Sequence, residues 1–88
     1  MRVRLANPVV TKVDPEGRLL LAVPATGASF LFAAEETGMW IELWRHGGDV
    51  ARAADRLAER WDVEPSATLA DLRRWAAHLC SVGLAKVD

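Results

Sequence analysis

Arg18-Leu19-Leu20-Leu21-Ala22-Val23, then Pro24-Ala25-Thr26-Gly27, then Ala28-Ser29-Phe30-Leu31-Phe32-Ala33: this stretch decides the fold. Two runs of large apolar residues flank a connection holding Pro and Gly, which reads as two antiparallel strands joined by a turn. Upstream, Pro8-Val9-Val10-Thr11-Lys12-Val13 is a similar run. Asp14-Pro15-Glu16-Gly17 follows it, with Pro and Gly where a β-turn uses them. Strands are therefore predicted over about residues 8–13, 18–24 and 28–33, as a three-stranded meander.

Beyond Ala33 the apolar spacing becomes helical. Glu35 and Glu36 suit a helix amino terminus. Met39, Trp40, Leu43 and Trp44 then form a stripe that Gly47-Gly48 ends. Asp49 can cap a second helix with Val50, Ala51, Ala54, Leu57, Ala58 and Trp61 on one face and Arg52, Asp55, Arg56, Glu59 and Arg60 on the other. Pro65 and Ser66 break the pattern. Thr68-Leu69-Ala70-Asp71 resembles a capping box with Asp in place of the longer acid. Leu72, Trp75, Ala76, Leu79 and Val82 carry a third helix to Gly83. Helices are predicted over about residues 34–46, 49–61 and 67–82. The expected class is α+β, winged-helix-like, with residues 1–88 as one domain.

Composition narrows the function. With 88 residues, 51% hydrophobic and 26% charged, the chain is too apolar for a disordered segment, and it has no uninterrupted apolar stretch that would span a membrane. Met1-Arg2-Val3-Arg4 does not begin a signal peptide. A single cysteine forms no internal disulfide and fits a reducing, cytoplasmic setting. A net charge of −1 gives no general attraction to nucleic acid. His78 and Cys80 lie two apart on a helix and point in different directions, so they make no base–thiol pair. Two distant histidines and one cysteine make no metal motif. Neither an enzyme nor a cofactor is expected.

The strands carry more apolar surface than one core needs. A three-stranded sheet on helices buries one face, so its strands should alternate. Leu19, Leu21 and Val23 point one way, but Leu20 and Ala22 point the other. Phe30 and Phe32 oppose Leu31 and Ala33 in the same manner. Three kinds of cover are open: the amino-terminal arm Met1–Ala6, a second copy of the chain in a homodimer, or a partner peptide added as a strand. The last run suits a guest, because no Lys, charge or Pro guards it between Ala28 and Ala33.

The ordered set resembles the PqqD-like family, the precursor-peptide recognition elements, from about Val9 to Leu84. The likeness rests on the three-strand start and an aromatic-bearing third strand. A helix with Trp40 follows, closing on Arg45-His46-Gly47-Gly48. Then come the run Asp49 to Val63, the pair Asp71-Leu72, and Leu79 with Gly83-Leu84. Where the family often ends the third strand in Leu-Asn, this chain has Phe32-Ala33. The resemblance implies a domain that binds the leader of a ribosomally made peptide as an extra antiparallel strand on the third strand, in the groove before the third helix. It also implies delivery to a modifying enzyme. The foremost candidate is the cysteine-protease-like leader peptidase of lasso-peptide biosynthesis; a radical enzyme acting on another precursor is the alternative.

On that reading Ser29, Phe30, Leu31 and Phe32 supply ladder hydrogen bonds, and alternate-residue pockets supply selectivity. Asp71, Arg74, Trp75 and His78 follow one another along a face of the third helix. Arg74 can meet an acidic leader side chain and Trp75 can floor an apolar pocket. Trp40, Trp44 and Trp61 read as core, and Cys80 as a small buried residue. The rival is a winged-helix DNA-binding module, with Arg52, Arg56 and Arg60 in a row. Asp55 and Glu59 interleave with them, however, in the manner of intrahelical ion pairs.

Overall fold

A computed structural model describes residues 1–88. The strands and helices run β1 (Val3–Leu5), β2 (Val10–Val13), β3 (Leu19–Val23), β4 (Ala28–Phe32), α1 (Ala34–Arg45), α2 (Val50–Trp61), α3 (Pro65–Ser81) and β5 (Ala85–Val87). The fold is α+β. The predicted meander is the sheet β2-β3-β4, antiparallel throughout, with Leu21 opposite Thr11 on one side and Phe30 on the other. The predicted third strand is β4. Leu19, Leu21 and Val23 are buried, whereas Leu20 and Ala22 face solvent.

The core lies between the inner face of that sheet and the three helices. Leu43, Leu57, Leu72 and Leu79 are fully buried with Leu19 and Leu21. Burying each such side chain contributes about 1.5–3 kcal/mol. Thr37 ties α1 to the β2–β3 turn by donating its hydroxyl to the Gly17 carbonyl at 2.6 Å. At the start of α1 Ala33 has no capping side chain, and the Glu36 carboxylate accepts from the Ala33 N–H at 3.0 Å instead. Asp49 caps α2, its carboxylate accepting from the Arg52 N–H at 3.2 Å.

Two short strands were not foreseen. β1 pairs antiparallel with β5, Val3 opposite Val87, as a separate two-stranded sheet. Three-residue segments such as Val3-Arg4-Leu5 and Ala85-Lys86-Val87 are too short to show a period. The amino-terminal arm therefore does not lie over the meander. It is held at the α1–α2 turn, where the Val3 N–H donates to the Gly48 carbonyl and the Val50 N–H donates to the Met1 carbonyl.

Other differences have local causes. α3 starts at Pro65, not near residue 67, because proline suits the first helical position; the Thr68 hydroxyl donates to the Glu64 carbonyl and caps nothing. On α2 it is Ala53, not Ala51, that is buried. Trp61 is 39% exposed at the end of α2, lying over Gly38, and is not core. Val82 is exposed beyond the end of α3.

The ion pairs on α2 also differ from a simple intrahelical ladder. Arg56 pairs with Glu59, but Arg60 crosses to α1 and donates to Glu42 at 2.9 Å. Glu42 is wholly buried and also accepts from Arg45 at 3.0 Å; the His46 ring nitrogen Nε2 lies 3.3 Å from its other oxygen. No helix is long and apolar enough to cross a membrane.

Candidate functional site

β4 is an edge strand. Its inner neighbour is β3, and no backbone hydrogen bond joins Ser29, Phe30, Leu31 or Phe32 to any other element. An unpaired strand leaves every second N–H and C=O directed outward, ready for another backbone. The segment carries no charge, Pro or bulge that would turn one away.

The flank of this edge is aromatic. Phe30 and Phe32 stack along β4 with ring centroids 6.2 Å apart. Phe32 then meets two side chains of α3 edge-on, Trp75 at 5.5 Å and His78 at 6.2 Å. Trp75 continues to Trp40 at 6.3 Å, so β4, α3 and α1 are joined by one aromatic chain.

Beside it, Asp71, Arg74, Trp75 and His78 line a single depression of ≈ 440 Å³ together with Glu36 and Met39 of α1. The four α3 residues singled out in the sequence thus lie together. Trp75 is 6% exposed and forms part of the floor, and its indole N–H has no partner. Arg74 and Asp71 form an exposed pair at 3.0 Å, so the rim is already partly neutralised. Glu36 and Met39 escaped notice because each had a sufficient local reason: Glu36 suits the first turn of a helix, and Met39 fits an apolar stripe. Their three-residue spacing, which places them on one side of α1, was the available signal.

The four β4 residues divide between two faces. Phe30 and Phe32 point toward the helices. Ser29 and Leu31 lie on the opposite face, over a second, mainly apolar depression of ≈ 480 Å³ shared with Val10, Lys12, Leu20 and Ala22. Backbone pairing at the edge would draw on all four whichever face they present.

Chemically the groove can seat apolar side chains on Phe32, Trp75 and Met39 and polar ones on a rim of mixed charge. No three His, Cys, Asp or Glu side chains gather into a metal-binding group. His46, expected at a helix end, is the residue that closes α1. Cys80 is only partly buried.

No protein-family model matches this sequence. No curated protein matches it either. Among solved structures, a likeness extends over the full length of both chains to the structure described as TbiB1 in complex with the TbiA(beta) leader peptide, with a TM-score of 0.77 at 22% identity. At that identity the likeness is one of fold: a chain that shares only about a fifth of its residues retains the same arrangement of sheet and helices.

Proposed function

We propose that this chain is a PqqD-like recognition domain that binds the leader segment of a ribosomally made precursor peptide by strand addition to β4. The observation that carries the reading is the unpaired, unguarded edge of β4 beside a groove walled by α3, with Trp75 and Met39 inside a charged rim. Main-chain hydrogen bonds along Ser29–Phe32 hold the guest without reading it. Selectivity comes from the guest residues that turn toward Phe32, Trp75, His78, Arg74 and Asp71. A similar fold described in complex with a leader peptide supports the same assignment.

The domain then acts without chemistry of its own, presenting the precursor to a modifying enzyme. A cysteine-protease-like leader peptidase of the lasso-peptide type is the receiving enzyme we favour; a radical enzyme is the alternative. DNA binding is disfavoured by the fate of the α2 arginines, since Arg56 and Arg60 are both committed to carboxylates.

Fluorescence polarisation with labelled precursor peptides measures the affinity, and amide hydrogen exchange locates the contact. Saturating precursor is expected to slow exchange in Ala28–Phe32 more than in β2, the other edge. Tight binding with unchanged exchange in β4 would rule out strand addition.

A further inference from the structure

The register of the meander decides which backbone groups of β4 are free. The Asp14 N–H donates to the Arg18 carbonyl at 3.0 Å, so these two residues form a hydrogen-bonded pair just beyond the ends of β2 and β3. Such pairs recur at every second residue of an antiparallel ladder. Lys12 with Leu20 and Val10 with Ala22 are the next ones, which turns the backbone groups of Leu19, Leu21 and Val23 toward β4. Their partners there are Phe32, Phe30 and Ala28. Phe30 and Phe32 therefore tie the edge to β3, while Ser29 and Leu31 turn their N–H and C=O groups outward. Ala33 is the next member of the outward set, because its backbone is still extended at φ −67° and ψ 165°.

Ala33 is already engaged. It alone separates β4 from α1, so the residue next along the edge is also the cap of the helix. Its carbonyl accepts from the Glu36 N–H at 3.0 Å and the Thr37 N–H at 3.2 Å. Its N–H donates to the Glu36 carboxylate at 3.0 Å. At the other end of the strand the Gly27 N–H is spent on the Val23 carbonyl at 2.9 Å. A guest carbonyl aimed at the Ala33 N–H would meet a Glu36 oxygen already in place, two acceptors for one hydrogen.

We infer, on the strand-addition reading, that Glu36 ends the guest's ladder. It is a positioning residue that leaves two donors, the Ser29 and Leu31 N–H groups, for a strand laid on β4. The guest segment paired opposite Ser29–Leu31 is only three residues long, about 10 Å. Its middle residue lies across from Phe30 and turns its side chain to the helix side of the sheet. Past Leu31 the guest leaves the ladder beside Glu36, at the groove that Met39, Trp75 and His78 also line. So short a ladder makes binding depend on the side chains that enter this groove.

The test compares Glu36→Ala with Glu36→Gln, both uncharged, using the labelled precursor peptide. Gln keeps an acceptor over the Ala33 N–H, whereas Ala frees it. The Ala variant is expected to bind the peptide at least about threefold more tightly than the Gln variant, the worth of one net hydrogen bond. It is also expected to melt at a lower temperature, since α1 has lost its cap; a purely structural Glu36 would lose affinity together with stability. In amide exchange followed by NMR, saturating peptide is expected to slow Ser29 and Leu31 in all three proteins and Ala33 only in Glu36→Ala. Equal or weaker binding by Glu36→Ala than by Glu36→Gln would overturn the proposal, as would an Ala33 amide that the peptide leaves unchanged in Glu36→Ala. Should Glu36→Ala not fold, the unchanged chain decides. There the scalar coupling across the Ala33–Glu36 hydrogen bond is expected to persist on loading, and its disappearance would overturn the proposal. Binding that leaves exchange at Ser29 and Leu31 unaltered would instead overturn strand addition itself.

Discussion

Phe32 at the end of β4 meets Trp75 on α3 edge to face, with ring centroids 5.5 Å apart and planes at 84°. This contact sets the distance between the open strand and the helix that walls the groove. Both rings are nearly buried, so the pair belongs to the core as much as to the site. Phe32→Ala is expected to cost about 3–5 kcal/mol in urea unfolding. Phe32→Leu keeps most of the volume and should cost less than about 1.5 kcal/mol. Precursor affinity of the folded Leu variant should fall nonetheless, because the smaller side chain leaves the groove wall without its aromatic face. Equal affinity would show that the guest does not reach this end of β4.

Arg74 faces the same groove from a rim that already holds Asp71 and Glu36. Arg74→Glu removes the cation and adds a third acid. An acidic leader should then bind about tenfold more weakly at low salt, equivalent to ~1.4 kcal/mol. Exposed charges are screened, so the gap should narrow as salt rises toward 1 M. A salt-independent loss would point to altered packing of α3 and away from charge reading.

Gly48 and Gly27 both have positive φ, +86° and +74°, but only Gly48 is crowded. A Cβ at Gly48 would overlap the Val3 carbonyl, whereas one at Gly27 would meet nothing. Gly27→Ala should therefore carry only the left-handed backbone cost of about 1–2 kcal/mol. Gly48→Ala should cost a further ~1–3 kcal/mol from forced overlap and loosen the β1–β5 pair. Limited proteolysis of the amino-terminal arm reads the second effect directly.

Asp49 titrates in a way that tests its cap. The Arg52 N–H it accepts from holds its carboxyl below the ordinary carboxylate value; burial opposes this, and the charges of Arg2, Arg52 and the chain terminus add to it. A depressed folded value means that the stabilisation is fully present above the unfolded value of ~3.9 and is lost as pH falls through the folded one. Asp49→Asn keeps the capping oxygen but not the charge. The melting-temperature gap between the two proteins should be widest near pH 7 and close below about pH 4. Asp14 is also depressed: burial works against its charge, but hydrogen bonds and charge from Arg18 and the Glu16 N–H outweigh it. It titrates in both proteins, so the difference isolates Asp49. A gap that widens toward acid would contradict the assignment.

Much of this was legible in the chain. Turn formers between the apolar runs marked the three strands, two-residue parity separated Leu19, Leu21 and Val23 from Leu20 and Ala22, and the helical period placed Asp71, Arg74, Trp75 and His78 on one wall. The remainder lay in contacts no period encodes. β1 and β5 are far apart in sequence and take their order from Gly48 and from each other. Glu36 and Met39 reach the groove only because the fold brings this part of α1 beside α3, where Trp40 meets Trp75. Trp61 fits the stripe of α2 by position, but it falls where the helix ends and the core has already closed. Pro65 interrupts the apolar stripe of α2 and yet opens α3, since a residue that cannot continue a helix can still begin one.

Glu42 is the clearest case of a residue whose role depends on the tertiary structure. Its side chain is 1% exposed, while Arg45 and Arg60 beside it are 60% and 54% exposed. The arginines can return to water when the carboxylate is removed, so the loss is smaller than for a pair buried on both sides. Glu42→Gln should cost about 1–3 kcal/mol through lost charge-assisted hydrogen bonds. Arg60→Ala should cost less, because Arg45 still holds the carboxylate. If the Arg60 contact fastens α2 to α1, the two changes will not add: in the Gln background Arg60→Ala should be nearly neutral, a coupling of about 1 kcal/mol. Urea denaturation of the four proteins of the cycle measures this. Strict additivity would mean that Arg60 serves α2 by packing its stem alone, and that Arg45 suffices to hold Glu42.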